Sequence, residues 1–140
     1  MGGIMALDVG SKRIGVAVAD PMQTYALPAG TIERTTMHSD LERIAEYVVK
    51  YGVEELVVGE PLALSGRRGI AAERMDEFVR ALGHVFKGTI HRIDERMSTA
   101  QATKAMIAAN VSRERRRRSV DMMAAALILE TYLARRRKRQ

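Results

Sequence analysis

The chain has 140 residues, no cysteine and a formal net charge of +6 at pH 7. That length fits one domain, spanning 1–140, with room for a single sizeable core, and the absence of cysteine excludes disulfides and thiolate metal sites. No apolar run approaches the ~20 residues of a membrane helix, and no charged segment followed by an apolar one marks a secretory leader, so a cytoplasmic protein without a membrane partner is expected.

The first element predicted is a strand over Ile4 to Asp8, apolar enough to be buried on both faces apart from the carboxylate of Asp8. Gly10 permits a tight turn, and Ile14 to Ala19 reads as the returning strand of a hairpin. An ionised Asp on such a strand needs a metal, a hydrogen bond or a cation to satisfy it. Lys12 and Arg13 occupy the turn beside it, which suits a sheet edge facing a metal and a phosphate. The plainer reading is an Asp that accepts N–H bonds from the Gly10 turn.

Tyr25 to Ile32 predicts a third strand, with Pro28 placing it at an edge or a bulge. Ser39-Asp-Leu-Glu42 has the spacing of a capping box. A helix should follow on Leu41, Ile44, Ala45 and Val48 and stop at Gly52. Glu54 to Gly59 reads as a buried strand ending in Gly59-Glu60-Pro61. Leu62 to Ile70 is predicted as a loop in which two glycines surround Arg67 and Arg68, a basic segment able to close over a phosphate. Ala71 to Leu82 has helical spacing, with Gly83 as its end. Thr89 to Ile93 predicts the last strand, followed by Asp94-Glu95-Arg96. A second capping box, Ser98 to Gln101, opens a helix to about Ala109.

Arg113 to Arg118 contributes +4, and a basic tail from about Arg135 to Arg139 contributes +5, leaving the rest of the chain at −3. Between them Ser119 is the expected cap of a final helix, Val120 to about Arg137. So localised a surplus points to a polyanionic partner. With 4% aromatic residues and no Trp, contact through the nucleic-acid backbone is the better expectation than base stacking. A hairpin followed by strand–helix alternation indicates a mixed α/β sheet with helices on both sides.

Acidic residues fall where such a sheet presents its functional edge, at the carboxyl ends of strands: Asp8, Glu60, Asp94 and Glu95. Asp121 joins them by sharing a helical face with Ala124, Ala125, Ile128 and Tyr132, although an Asp near a helix start can equally be a partner of the macrodipole. Carboxylates that converge repel one another unless cations separate them, and oxygen-only ligation suits Mg²⁺ or Mn²⁺. Two such ions can activate water and orient a phosphodiester, with Asp8 bridging and Glu60, Glu95 and Asp121 completing the ligand set.

The segments Ala6-Leu-Asp8-Val-Gly10-Ser-Lys-Arg13-Ile-Gly15-Val-Ala-Val-Ala-Asp20, Val57-Val-Gly59-Glu60-Pro61-Leu, Asp94-Glu95-Arg96-Met-Ser98-Thr and Ser119-Val-Asp121-Met-Met-Ala-Ala-Ala-Leu-Ile-Leu together resemble the YqgF/RuvX family. These are bacterial proteins assigned to pre-ribosomal RNA cleavage or Holliday junction resolution. The resemblance implies an RNase H-like fold with a five-stranded mixed sheet and a divalent-metal nuclease. It matches Asp8, Glu95 and Asp121 to the family's acidic positions, Lys12 and Arg13 to its basic turn, and Arg96 to its Asp-Glu-Arg motif. Glu60 stands where many relatives carry Leu; a RuvC-like arrangement would use it as a ligand, which leaves Glu60 and Glu95 both open.

The first functional expectation is therefore a metal-dependent endonuclease on structured nucleic acid, with Arg115, Arg116, Arg117 and Arg118 among the residues that bind substrate. Resolution of a four-way DNA junction would require a two-fold homodimer; trimming the 5′ end of the small-subunit ribosomal RNA precursor would not. The alternative is a non-catalytic nucleic-acid-binding factor in ribosome assembly or transcription. An ATPase of the actin type also opens with Asp-x-Gly on a hairpin, but it needs two such domains.

Overall fold

The computed structural model describes residues 2–60, 69–94 and 113–138. In chain order these form β1 (Gly3–Val9), β2 (Arg13–Ala19), β3 (Ala26–Glu33), α1 (Met37–Tyr51), β4 (Val53–Glu60), α2 (Ile70–Val85), β5 (Thr89–Asp94) and α3 (Arg113–Lys138). The strands make one sheet in the order β3-β2-β1-β4-β5. The hairpin pairs are antiparallel, whereas β1, β4 and β5 run parallel, so the carboxyl ends of these three strands share one edge. This is the expected mixed sheet. β3 lies at its border, and the register slips between Val16 and Ala17 where Pro28 interrupts the ladder.

Strand alternation divides the core in two. Met5, Leu7, Ile14, Val16, Leu56 and Val58 pack with Leu41, Ile44, Phe78 and Leu82 of α1 and α2. Ile4, Ala6, Ala17, Val57 and Ile93 pack with Ala125, Ala126, Ile128, Leu129 and Leu133 of α3. Each fully buried Ile or Leu contributes roughly 1.5–3 kcal/mol. The second layer includes small residues on both sides, Ala6 and Ala17 on the sheet and Ala125 and Ala126 on α3, and at Gly15 the α3 backbone comes directly onto the sheet. Among the described residues no helix is long and apolar enough to cross a membrane.

Three boundaries differ from the sequence expectation. Helix α1 starts two residues before Ser39, because Thr36 is the N-cap and accepts from the Ser39 N–H at 3.1 Å. Asp40 reaches back to the Thr35 N–H and to Arg34, so the Ser39–Glu42 box is not the one used. Helix α2 runs through Gly83 to Val85, and the extended Phe86 closes it with an N–H bond to the Leu82 carbonyl. One glycine facing open space costs a helix only about 1 kcal/mol, less than packing returns. Helix α3 starts at Arg113, so Ser119 lies inside it, and Arg115 to Arg118 occupy its opening turns. Arginine is a good helix former, which lets the helix continue through the run. Its end at Lys138 agrees with the expected end near Arg137, so the basic residues Arg135 to Lys138 form its last turn. Gly52 does end α1, in the left-handed conformation at φ 58°. Most of the predicted basic loop and the predicted Ser98–Ala109 helix lie outside the described residues.

Candidate active site

The site is assembled from the hairpin turn, the shared carboxyl edge of the parallel strands and one face of α3. The turn is closed by the Gly10 N–H, which donates to the Arg13 carbonyl at 2.9 Å. That N–H is therefore committed within the turn. Arg34 holds the turn from outside: its guanidinium donates to the Gly10 carbonyl at 2.9 Å, and its backbone N–H donates to the Lys12 carbonyl at 2.9 Å. Buried Asp40 in turn fixes Arg34 at 3.1 Å. Lys12 stands exposed at the tip.

Asp8 is only 6% exposed and belongs to the even-numbered series of β1 that faces α3. Its register neighbours on both sides are glycines, Gly15 on β2 and Gly59 on β4. Gly59 pairs onward with Ile93, and Glu60 with Asp94. Asp8 therefore lies level with the carboxyl ends of β4 and β5, in a row where its two neighbours carry no side chain. Cross-strand side chains normally stand about 5 Å apart; here both neighbours end at Cα, and the place of a side chain on Gly15 is taken by the α3 backbone.

Asp121 arrives from above. A Cβ placed on Gly15 would collide with the Asp121 backbone carbonyl, so α3 touches the sheet beside Asp8 because residue 15 is glycine. Asp121 lies two turns inside α3, with Ala124, Ala125 and Ile128 buried below it. The macrodipole acts within the first turn of a helix, so that alternative account of Asp121 is excluded. Its side chain, 14% exposed, accepts from Arg13 Nε at 3.0 Å. Arg13, 19% exposed, also approaches Glu33 at 3.8 Å. The structure thus brings Asp8, Arg13 and Asp121 to one face at one end of the sheet, and Arg13 serves an acid of the site.

Glu60 closes β4 and Asp94 closes β5, as the sequence indicates. Glu95, Arg96, Arg67 and Arg68 lie outside the described residues. Among the described residues no three acidic, histidine or cysteine side chains gather around one point. The donors Asp8 and Asp121 are nonetheless oxygen-only, partly desolvated and mounted on rigid elements, a chemistry that fits a hard divalent cation completed by one further carboxylate. Sequence reasoning missed Gly15, Gly59, Arg34 and Asp40. The glycines stood inside the quoted motifs, but their roles depend on which strand lies alongside.

Residues 2–135 match the family model described as "RuvX: Holliday junction resolvase". A Moorella thermoacetica protein named "Putative pre-16S rRNA nuclease" is 44% identical over 132 residues, covering 94% of each chain. A Desulforudis audaxviator protein of the same name is 41% identical over 130 residues, covering 93% of this chain and 92% of that one. Among solved structures, T. thermophilus RuvC in complex with Holliday junction substrate superposes with a TM-score of 0.63 at 14% identity, covering 97% of this chain and 96% of that one. This last likeness shows a shared fold, the RNase H-like fold.

Proposed function

The chain belongs to the RuvX family, and on that premise we propose a divalent-metal-dependent endonuclease that hydrolyses phosphodiesters in the small-subunit ribosomal RNA precursor, trimming its 5′ end in the cytoplasm. The observation that carries the reading is Asp8: a buried carboxylate at the carboxyl edge of the sheet, flanked by Gly15 and Gly59, with Asp121 lowered onto the same face. The ribosomal substrate is supported by relatives named for pre-16S rRNA that are 41–44% identical over nearly the whole chain.

Asp8 and Asp121 would hold the metal, Mg²⁺ or Mn²⁺ in one or two ions, together with Glu95 or Glu60. A bound divalent ion would supply a polarised phosphoryl oxygen and an activated water. Asp8 presents a pre-oriented anionic ligand that needs no reorganisation. Arg13 holds Asp121 aimed through its 3.0 Å bond, and remains close enough to the edge to offset phosphate charge. Lys12, Arg96 and the Arg115–Arg118 turns would grip the flanking backbone. In the net reaction water adds to phosphorus and one ester oxygen leaves, protonated, on the product strand.

A second reading, two symmetric cuts in a four-way DNA junction, is favoured by the family's description and would require a homodimer. One experiment separates them. The purified chain and its Asp8→Asn variant are each given a precursor RNA with its 5′ extension and a synthetic junction, with Mn²⁺ or Mg²⁺. Cutting of the RNA that disappears in Asp8→Asn supports the proposal. Paired junction cuts would replace it with the second reading, and cutting of neither would leave a non-catalytic binding factor.

A further inference from the structure

Helix α3 passes over the sheet from the candidate active site toward the opposite end, and its last turn closes a second charged feature. The Tyr132 ring packs against that of His91 from the edge strand β5, with centroids 4.8 Å apart and planes tilted by 38°. The Tyr132 hydroxyl lies 3.1 Å from His91 Nε2 and donates to Glu55 Oε1 at 3.2 Å. Arg136 donates to the other Glu55 oxygen at 3.2 Å. One carboxylate thus orients three side chains into a rigid wall. Beside it is a 180 Å³ cavity lined by His91, Arg92, Ile93, Tyr132, Arg135 and Arg136. Arg135, Arg137 and Lys138 are exposed, and among the described residues none of them pairs with a carboxylate.

We infer that this groove between β5 and the end of α3 is a second nucleic-acid contact, one that binds a backbone phosphate of the substrate away from the cut. Three observations support it. The cavity is below the roughly 300 Å³ at which pockets begin to enclose drug-sized ligands, so it suits a phosphate rather than a nucleoside. Its lining sets Ile93 among the nitrogen donors of His91, Arg92, Arg135 and Arg136 and the Tyr132 hydroxyl; Arg92 pairs with Asp76 at 2.8 Å and His91, Tyr132 and Arg136 engage Glu55, which leaves Arg135 to meet a phosphate. Its position is also suitable: Asp121 and Arg136 are 15 residues apart on one helix, about 22 Å at 1.5 Å per residue. At the B-DNA step of about 3.4 Å that is six or seven base steps, and the shorter step of an A-form RNA duplex makes it slightly more. A duplex arm leaving the cut along α3 would therefore reach Arg135 and Arg136 within one helical turn.

The inference rests on the nuclease reading, and the test keeps the two apart. Binding of labelled RNA to the full chain is measured by fluorescence anisotropy across a salt series, with duplex arms of four and of ten base pairs beside a single-stranded 5′ extension. Arg135→Glu should weaken binding of the long-armed RNA about tenfold and reduce its salt slope by about one or more. The short-armed RNA should change less than twofold. Arg43→Glu, on exposed α1 across the sheet, should change neither. Equal losses on both arms, or an Arg135→Glu variant indistinguishable from Arg43→Glu, would overturn the inference while leaving the nuclease reading in place. A wild-type chain that binds neither RNA nor junction DNA would overturn both.

Discussion

Arg13 Nε donates to Asp121 Oδ2 at 3.0 Å, joining β2 to α3 across 108 residues of sequence. The pair is largely screened from water, at 19% and 14% side-chain exposure. It ties the basic turn to an acid of the candidate active site before any substrate arrives. Replacing Arg13 with Met should lower stability by roughly 1.5–3 kcal/mol, the worth of a hydrogen bond to a charged group that is left half-buried. Arg13→Lys should recover part of that. Denaturant melts of the three proteins measure it.

Asp8→Asn should abolish cleavage, by about 100-fold or more, while leaving the fold intact. The variant keeps the size and shape of a side chain that is only 6% exposed, so it should remain folded, as circular dichroism and a thermal melt check. Full activity in Asp8→Asn would exclude a metal site at this carboxylate.

Metal binding should itself be visible as stability. Mn²⁺ at a hundred times its dissociation constant should stabilise the wild type by about 2.7 kcal/mol, because it binds only the folded chain. Differential scanning calorimetry should show the gain shrink in Asp8→Asn and in Asp121→Asn. EDTA should reverse it.

Gly15→Ala should be costly for so small a change. The added Cβ meets the Asp121 carbonyl, a backbone group on a helix anchored by Ile128, Leu129 and Leu133. Overpacking of this kind costs about 1–3 kcal/mol, and it should also displace Asp121 and depress cleavage. Gly83→Ala, in open space on α2, serves as the contrast and should be neutral or stabilising.

The connection between β2 and β3 carries a pH dependence of its own. The Asp20 carboxylate accepts from the backbone N–H groups of Tyr25 and Thr24 at 2.6 Å each and of Met22 at 3.2 Å. These bonds, that to Tyr25 foremost, hold its pKa below the ordinary 3.8. Because the folded-state pKa is the lower one, the stabilisation is fully present above the unfolded-state value and is lost as pH falls through the folded-state value. Wild type and Asp20→Asn should therefore differ in stability at neutral pH and converge in strong acid, as followed by melts from pH 7 down to pH 2.

Much of this molecule could be read along the chain. The apolar run around Asp8 defined β1, the period of Ala124, Ala125 and Ile128 assigned Asp121 to the packed face, and Pro28 marked an edge strand. Each of these depends on spacing within a few residues. The start of α1, the end of α2 and the start of α3 were read less well. Thr36 competed with Ser39 for one cap, Gly83 was tolerated mid-helix, and the arginines after Val111 carried helical propensity that outweighed the cap at Ser119.

Sequence by itself determined the strands, the packed helix faces and the acids at strand ends, because alternation and helical period are local properties of the chain. Only the tertiary structure decided that Asp8 stands between Gly15 and Gly59, that the Asp121 backbone rests on Gly15, and that Arg13 reaches Asp121. Those relationships depend on sheet register and on how closely α3 can approach. Both are set by side-chain volumes in distant segments, which no local pattern encodes.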